Sequence, residues 1–191
     1  MRTFVALNLS PETRAAMYAA AEPLRAALDR AVSWTREPAL HLTLKFLGER
    51  PEAFVSRLGA GLRNASRDLS ACQLDIGGVG AFPSLRRPRV LWISIATNSE
   101  LAGLYQRVES VCAALGAPHE TRSFHPHVTL GRVRHGARVN VDAVAEAATA
   151  VQVGRQERVS TVDVMESVLG QGGARYRVVE AVPLGHENSE A

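Results

Sequence analysis

The chain has 191 residues, 46% of them hydrophobic and 21% charged, the balance of an ordinary folded domain rather than of a disordered, collagenous or coiled-coil chain. Lys and Arg number 22 against 19 Asp and Glu, a formal charge of +3, which permits anionic partners without marking a histone-like wrapper of nucleic acid. The longest strongly apolar run, LWISIA at 91–96, falls far short of the roughly 20 residues of a membrane helix, and MRTFVALNLS lacks the apolar block of a secretion signal, so no membrane partner and a cytoplasmic location are expected.

FVALNL, residues 4–9, reads as a strand, and Ser10-Pro11 supplies a helix cap followed by a proline suited to the first turn. The helix runs towards Ala31, with a break predicted near Glu22 because Pro23 removes an amide donor. HLTLKFLG at 41–48 alternates as a strand does, and Pro51 opens a second helix through Phe54, Leu58, Leu62 and Ala65. CQLDIGGVGAF and RVLWISIAT are two strand-like runs separated by the turn-forming, basic PSLRRP. Leu101, Leu104, Val108, Val111, Cys112 and Leu115 mark an amphipathic helix, with Ser99 near its start and Gly116 after its end. HVTLGRV at 127–133 is another strand, followed by a short helix near 142–150 and by three β-rich segments, VQVGRQ, STVDVMESVL and ARYRVVEAVPL. Hairpin-length and helix-length connections together favour an α+β fold. Cys72 and Cys112, 40 residues apart, read as buried reduced thiols.

One pattern recurs. HLTL at 41–44 and HVTL at 127–130 each follow a strand and a helix. Alternation puts His41 and Thr43 on one strand face and Leu42 and Leu44 on the other; His127 and Thr129 share a face opposite Val128 and Leu130. Two polar faces, one from each half, can then meet about an approximate two-fold axis. Two imidazoles near their reference pKa of about 6.5 provide one base and one acid, and two threonine hydroxyls can donate to phosphate oxygens. That set suits metal-free phosphoryl transfer, with the facing ring nitrogens expected roughly 6 to 8 Å apart across a phosphorus. A zinc site built on His119, His125 and His127 is the competing reading. It lacks an acidic or cysteine ligand at a familiar spacing and leaves the first HxTL unexplained, so neither metal nor cofactor is expected. His119, His135 and His186 read as exposed.

These segments resemble the two-histidine (2H) phosphoesterase superfamily, and within it the bacterial RNA 2',3'-cyclic phosphodiesterases, also called 2'-5' RNA ligases. The resemblance spans nearly the whole chain: RTFVALNLS, Trp34 upstream of HLTLKFLGE, GAFPSLRRPRVLWISI, FHPHVTLGR and SVLGQGGARYRVVEAVPL. It implies a bilobal, pseudo-two-fold-symmetric α+β fold, with two antiparallel sheets lining a central cleft and helices outside. Residues 1–186 would form one domain of two interleaved lobes, and 187–191 a frayed tail. The implied reaction opens an RNA-terminal 2',3'-cyclic phosphate to a 2'-phosphate, with His41 as proton donor, His127 as proton acceptor, and Thr43 and Thr129 at phosphate-binding positions. Reverse 2'-5' ligation by the same histidines is also implied. The expected partner is RNA with a cyclic end or a small cyclic nucleotide, and the protein is expected to be monomeric. A small cyclic-nucleotide phosphodiesterase and a non-catalytic RNA- or nucleotide-binding 2H module are the alternatives.

Other residues are graded by strand parity. Arg132 offers a bidentate fork for phosphate but falls on the opposite parity from His127, so it needs a twist or strand end to reach it. Lys45 shares the parity of His41 and is expected in the cleft as an RNA contact, or else as a solvated charge. Phe46 can stack on a base, yet its parity matches the core leucines. Arg86, Arg87 and Arg89 flank Pro88 in a basic lip that can contact RNA phosphates or simply be a solvated turn. Ser167 and Tyr176 read as structural, Trp34 as inter-lobe packing and Trp92 as part of a buried strand.

Overall fold

The computed structural model describes residues 1–170 and 173–185. In chain order the elements are β1 (Arg2–Asn8), α1 (Pro11–Ala20), α2 (Glu22–Leu28), β2 (Val32–Trp34), β3 (His41–Glu49), α3 (Glu52–Ala65), β4 (Cys72–Phe82), β5 (Val90–Ile95), α4 (Ser99–Ala114), β6 (His127–Val133), α5 (Val141–Ala150), β7 (Gln152–Val159), β8 (Thr161–Gly170) and β9 (Gly173–Pro183). The Ser10 hydroxyl accepts the Thr13 amide at 3.2 Å, and the predicted break falls at Ala21, between α1 and α2. The long amphipathic helix is capped by Asn98, whose side chain accepts the Leu101 amide at 2.8 Å, not by Ser99. The short β2, which carries no strand signal beyond two apolar residues, exists because β6 offers it a paired edge at Val32–Val133 and Trp34–Gly131. His186 and the tail at 187–191 lie outside the described residues.

Pairing is antiparallel throughout, in the order β7-β4-β5-β6-β3-β1-β8-β9, with β2 on β6. The two sheets that the resemblance implies are the halves of this one sheet. β9-β8-β1-β3 forms one half and β6-β5-β4-β7 the other, joined where β3 meets β6 at the single registered pair Leu42–Val128. The halves interleave in sequence, because the chain returns to the first half only at β8. One apolar cluster runs under both, combining Leu42, Leu44, Val128 and Leu130 of the sheet with Met17, Leu24, Leu58, Leu101 and Val144 of the five helices. Slipping either HxTL strand by one residue would bring its leucines to the surface. At about 1.5–3 kcal/mol per buried aliphatic side chain, the two such residues on each strand hold its register by roughly 3–6 kcal/mol. Burial on one face therefore fixes where the histidines point. Cys72 and Cys112 are buried and unbridged, and burial pushes each thiol up to about 11. Among the described residues no helix is long and apolar enough to cross a membrane.

Candidate active site

The two HxTL strands place their polar groups alike. His41 and Thr43 are half-buried while Leu42 and Leu44 are buried; His127 and Thr129 are half-buried while Val128 and Leu130 are buried. Continuing the Leu42–Val128 pair by one residue each way sets His41 beside Thr129 and Thr43 beside His127. The two histidines are then diagonal neighbours, positions about 7–8 Å apart on an antiparallel pair.

Each imidazole is held by the carbonyl two residues before it. Nδ1 of His41 donates to Ala39 O at 2.8 Å, and Nδ1 of His127 to His125 O at 2.6 Å. This fixes the neutral tautomer, with the proton on Nδ1 and the lone pair on Nε2. At His41 that lone pair meets the Thr43 hydroxyl at 3.0 Å. Aromatic walls complete each seat. Phe4 and Tyr176 lie 5.1 and 5.0 Å from the His41 ring, and Phe82 and Trp92 lie 5.0 and 6.0 Å from the His127 ring, centroid to centroid. Burial holds both imidazoles below their ordinary pKa, against the raising effect of the Ala39 and His125 carbonyls; the charges of His125 and Arg132 lower His127 further.

Past the fourth residue of each motif, simple alternation fails in both strands at the same place. β1 pairs Val5 with Lys45 and Ala6 with Thr43, skipping Leu44. β5 pairs Leu91 with Gly131 and Trp92 with Thr129, skipping Leu130. Each skipped leucine is a β-bulge, and a bulge reverses the facing of the residues that follow it, up to any further bulge. The parity expectations for three residues are therefore corrected. Lys45 leaves the cleft for the interior, 7% exposed, where its ammonium binds Glu109 Oε1 at 2.7 Å and Pro118 O at 2.9 Å. Phe46 turns outward, 56% exposed, instead of joining the core. Arg132 reaches the cleft side without needing a strand end.

His41, Thr43, Phe46, Thr129 and Arg132 line one cavity of about 300 Å³. His127 is not among its walls but stands beside it, two residues before Thr129 on the same strand face. Arg2, Ser167 and Tyr176 also line the cavity. The Arg2 guanidinium sits 5.4 Å from the Phe46 ring centre. Sequence reasoning missed Arg2 and read Ser167 and Tyr176 as merely structural. For Ser167 the available signal was its alternation with buried Val162 and Val164 along β8, whose other face had to be covered or open. Arg86, Arg87 and Arg89 are exposed; Arg87 and Arg89 border a separate depression that reaches Phe82, the ring against His127. Trp34 packs on the core edge with its Nε1 near Asp29 O at 3.3 Å. His119, His125 and His135 are exposed. Among the described residues no three His, Cys, Asp or Glu side chains gather to hold a metal.

Two mirrored strand faces that present a pinned imidazole and a hydroxyl define a phosphoester-handling protein. Residues 11–170 match the family model described as the 2'-5' RNA ligase superfamily, and the chain belongs to that family. It is similar to the RNA 2',3'-cyclic phosphodiesterase of Aeropyrum pernix, 35% identical over 146 residues, 74% of this chain and 80% of that protein. The protein of the same name from Methanothermobacter thermautotrophicus is 31% identical over 187 residues, 96% of this chain and 99% of that one. Among solved structures, TT0787 of Thermus thermophilus superposes with a TM-score of 0.80 at 29% identity, covering 98% of this chain and all of that one. E. coli LigT complexed with 3'-AMP superposes with 0.75 at 25% identity, covering 97% and 98%.

Proposed function

We propose that the chain is an RNA 2',3'-cyclic phosphodiesterase that opens an RNA-terminal 2',3'-cyclic phosphate to a 2'-phosphate, using His41 and His127 and no metal. The observation that carries this is the repeated seat: two imidazoles with Nδ1 committed to backbone, each followed by a threonine on the same face. Water attacks phosphorus and gives its proton to Nε2 of His127. The bond from phosphorus to the 3'-oxygen breaks, and that oxygen takes a proton from Nε2 of His41. The products are a 2'-phosphate, a free 3'-hydroxyl, a charged His127 and a neutral His41, which solvent resets. Thr43, Thr129 and Arg132 hold the non-bridging oxygens as negative charge builds on them. With the 5'-hydroxyl of a second strand attacking in place of water, the same exchange breaks the bond to the 3'-oxygen and forms a 2'-5' linkage.

Phe46 and Arg2 offer a π face and a cation for a base, and Arg86, Arg87 and Arg89 offer charge for phosphates further along an RNA. Both support an oligonucleotide over a cyclic mononucleotide. The small cavity volume supports the mononucleotide as a second reading. The mechanism needs both halves, so we read residues 1–186 as one domain of two interleaved lobes, acting as a monomer. A cytoplasmic location is supported by the two buried, unbridged cysteines.

The test is incubation with an oligonucleotide ending in a 2',3'-cyclic phosphate, beside a cyclic mononucleotide, with and without chelator, followed by identification of the terminal phosphate. The expected product is the 2'-phosphate, formed faster from the oligonucleotide and unaffected by chelator. A 3'-phosphate, no opening, or reversible loss under chelation overturns the reading.

A further inference from the structure

Each imidazole is pinned by a backbone carbonyl, and the two carbonyls are held in different ways. Ala39 O belongs to a short 3-10 helix, Glu37–Ala39, closed by its own backbone: Ala39 N donates to Arg36 O at 2.9 Å and Leu40 N to Glu37 O at 3.1 Å. His125 O has no such turn around it. Residues 117–126, which lead from α4 to β6, form neither helix nor strand. At one end Ala117 N reaches back to Cys112 O at 3.0 Å, and at the other Pro126 O accepts Ile95 N at 3.1 Å. Between these ends, among the described residues, no backbone group of 118–125 bonds another backbone group.

Side chains supply the missing restraint. Tyr105 and Glu109 stand four residues apart on one face of α4 and hold the connection at two places. The Tyr105 ring stacks on Phe124, with centroids 3.9 Å apart and planes 8° from parallel. Glu109 Oε2 accepts Glu120 N at 3.2 Å. Lys45 completes this second tether: its ammonium donates to Glu109 Oε2 at 2.9 Å and to Pro118 O at 2.9 Å. His119 Nδ1 also stands 3.7 Å from Glu109 Oε2, but its ring is exposed, so the buried cation is Lys45. The bulge at Leu44 is what turns Lys45 inward. The first HxTL strand thereby reaches through the interior to the entry of the second.

Stability gives no reason for a lysine in this place. A buried ion pair is often matched or bettered by apolar residues of similar volume, and the corresponding residue of β6 is Gly131, which has no charge to pair. What Lys45 and Glu109 add is directional: a backbone carbonyl and a backbone amide of an otherwise irregular stretch are fastened to fixed points just before His125.

We propose that Lys45 is a positioning residue for the reaction proposed above, on which this inference rests: with Glu109 and Tyr105 it holds residues 118–125 so that His125 O keeps the proton of His127 on Nδ1. Nε2 is then left free to take the proton of the attacking water. A neutral imidazole released from its carbonyl can carry the proton on Nε2 instead, and it then presents a donor where a base is required. His41 does not depend on this tether, because its carbonyl is fixed within its own turn.

The experiment joins two readouts. Nitrogen-15 NMR of the imidazoles, at a pH where both rings are neutral, reads the tautomers, and steady-state kinetics on a cyclic-ended oligonucleotide read the consequence. The deciding variant is Lys45→Met with Glu109→Leu, which removes the tether while keeping the space filled, with thermal unfolding as the check on folding. In the unaltered protein both rings carry the proton on Nδ1. In the double variant His127 moves towards a mixture of tautomers, His41 stays as it was, and kcat falls by about 10- to 100-fold with KM changed less than about twofold, the scale expected when a catalytic group is misplaced by about 1 Å. Tyr105→Ala cuts the other tether without touching the buried pair and moves the same ring in the same direction, so the result does not depend on how the Lys45 variant folds. A merely structural pair would let kcat recover along with stability. That recovery, an unaltered His127 tautomer in both variants, or equal change in the two rings overturns the proposal. Failure of the reaction itself looks different: the unaltered protein then opens no cyclic end, while the His127 tautomer still reports whether the tether holds it.

Discussion

The halves carrying His41 and His127 repeat a backbone more faithfully than they repeat what lies beneath it. HLTLKF and HVTLGR share the pinned imidazole, the hydroxyl, the bulged leucine and an outward-turned sixth residue. They part at the fifth residue, which the bulge turns inward in both. Lys45 reaches across to Glu109 on α4 and to Pro118 O in the connection leading to β6. Gly131 has no room for a side chain, because a Cβ would stand 2.6 Å from Val32 Cγ1 and 3.0 Å from Ser33 O of β2. One half is therefore held by a buried ion pair and the other by close backbone contact with an added strand. The repeated surface is what the proposed chemistry needs; the unlike supports are what each half could build.

Removing either ring is the most severe way to break the equivalence of the halves. His41→Ala and His127→Ala should each lower kcat for a cyclic-ended RNA by about 10²–10⁴-fold, the usual worth of a positioned acid or base, while thermal unfolding stays cooperative. Because the two act in one proton exchange, the double variant should be hardly slower than the worse single one. Losses that multiply would mean the rings act independently and would undo the paired mechanism.

The supports differ in a way that stability measurements can read. Lys45→Met leaves Glu109 buried without its cation and should cost about 3–5 kcal/mol in denaturant unfolding. Lys45→Met with Glu109→Leu should recover most of this, because a buried ion pair replaced by apolar groups is often close to neutral. Among the described residues the His127 half has no counterpart to this pair. A loss below about 1 kcal/mol for Lys45→Met, within the range of exposed pairs, would show that the pair does not hold β3.

What the sequence made legible follows from the same difference. Burial of Leu42 and Leu44 against polar His41 and Thr43 is written in the residues, so the facing of both motifs, the helices and the α+β class could be read directly. The bulge could not. Leu44 and Leu130 look like any strand leucine, and extending the alternation past them sends Lys45 into the cleft and Phe46 into the core. A faint signal existed on α4, where Glu109 sits next to Val108 in a stripe with Leu101, Leu104 and Cys112; a carboxylate there needs a buried cation. The continuous sheet was also hidden, because its halves touch through one residue pair whose partners are 86 positions apart.

The mildest expected difference lies in how the two imidazoles titrate. Burial lowers both, so in the free protein each loses its proton below the ordinary value of 6.5. The alkaline limb of kcat/KM, which follows loss of the proton from the acid, should accordingly fall at lower pH than for a solvated imidazole. The causes are not the same, however. Apart from the Ala39 carbonyl, burial alone acts on His41, whereas His127 is also lowered by the charges of His125 and Arg132. A nearby cation disfavours the imidazolium, so removing or screening it must raise the pKa. Arg132→Gln should therefore raise His127 and leave His41 where it is, and added salt should act in the same direction on the same ring. Imidazole NMR titrations with and without salt read both at once. Equal movement of the two rings would mean that Arg132 does not bear on His127 in particular, and with it the cation would lose its assigned place beside the transferring phosphate.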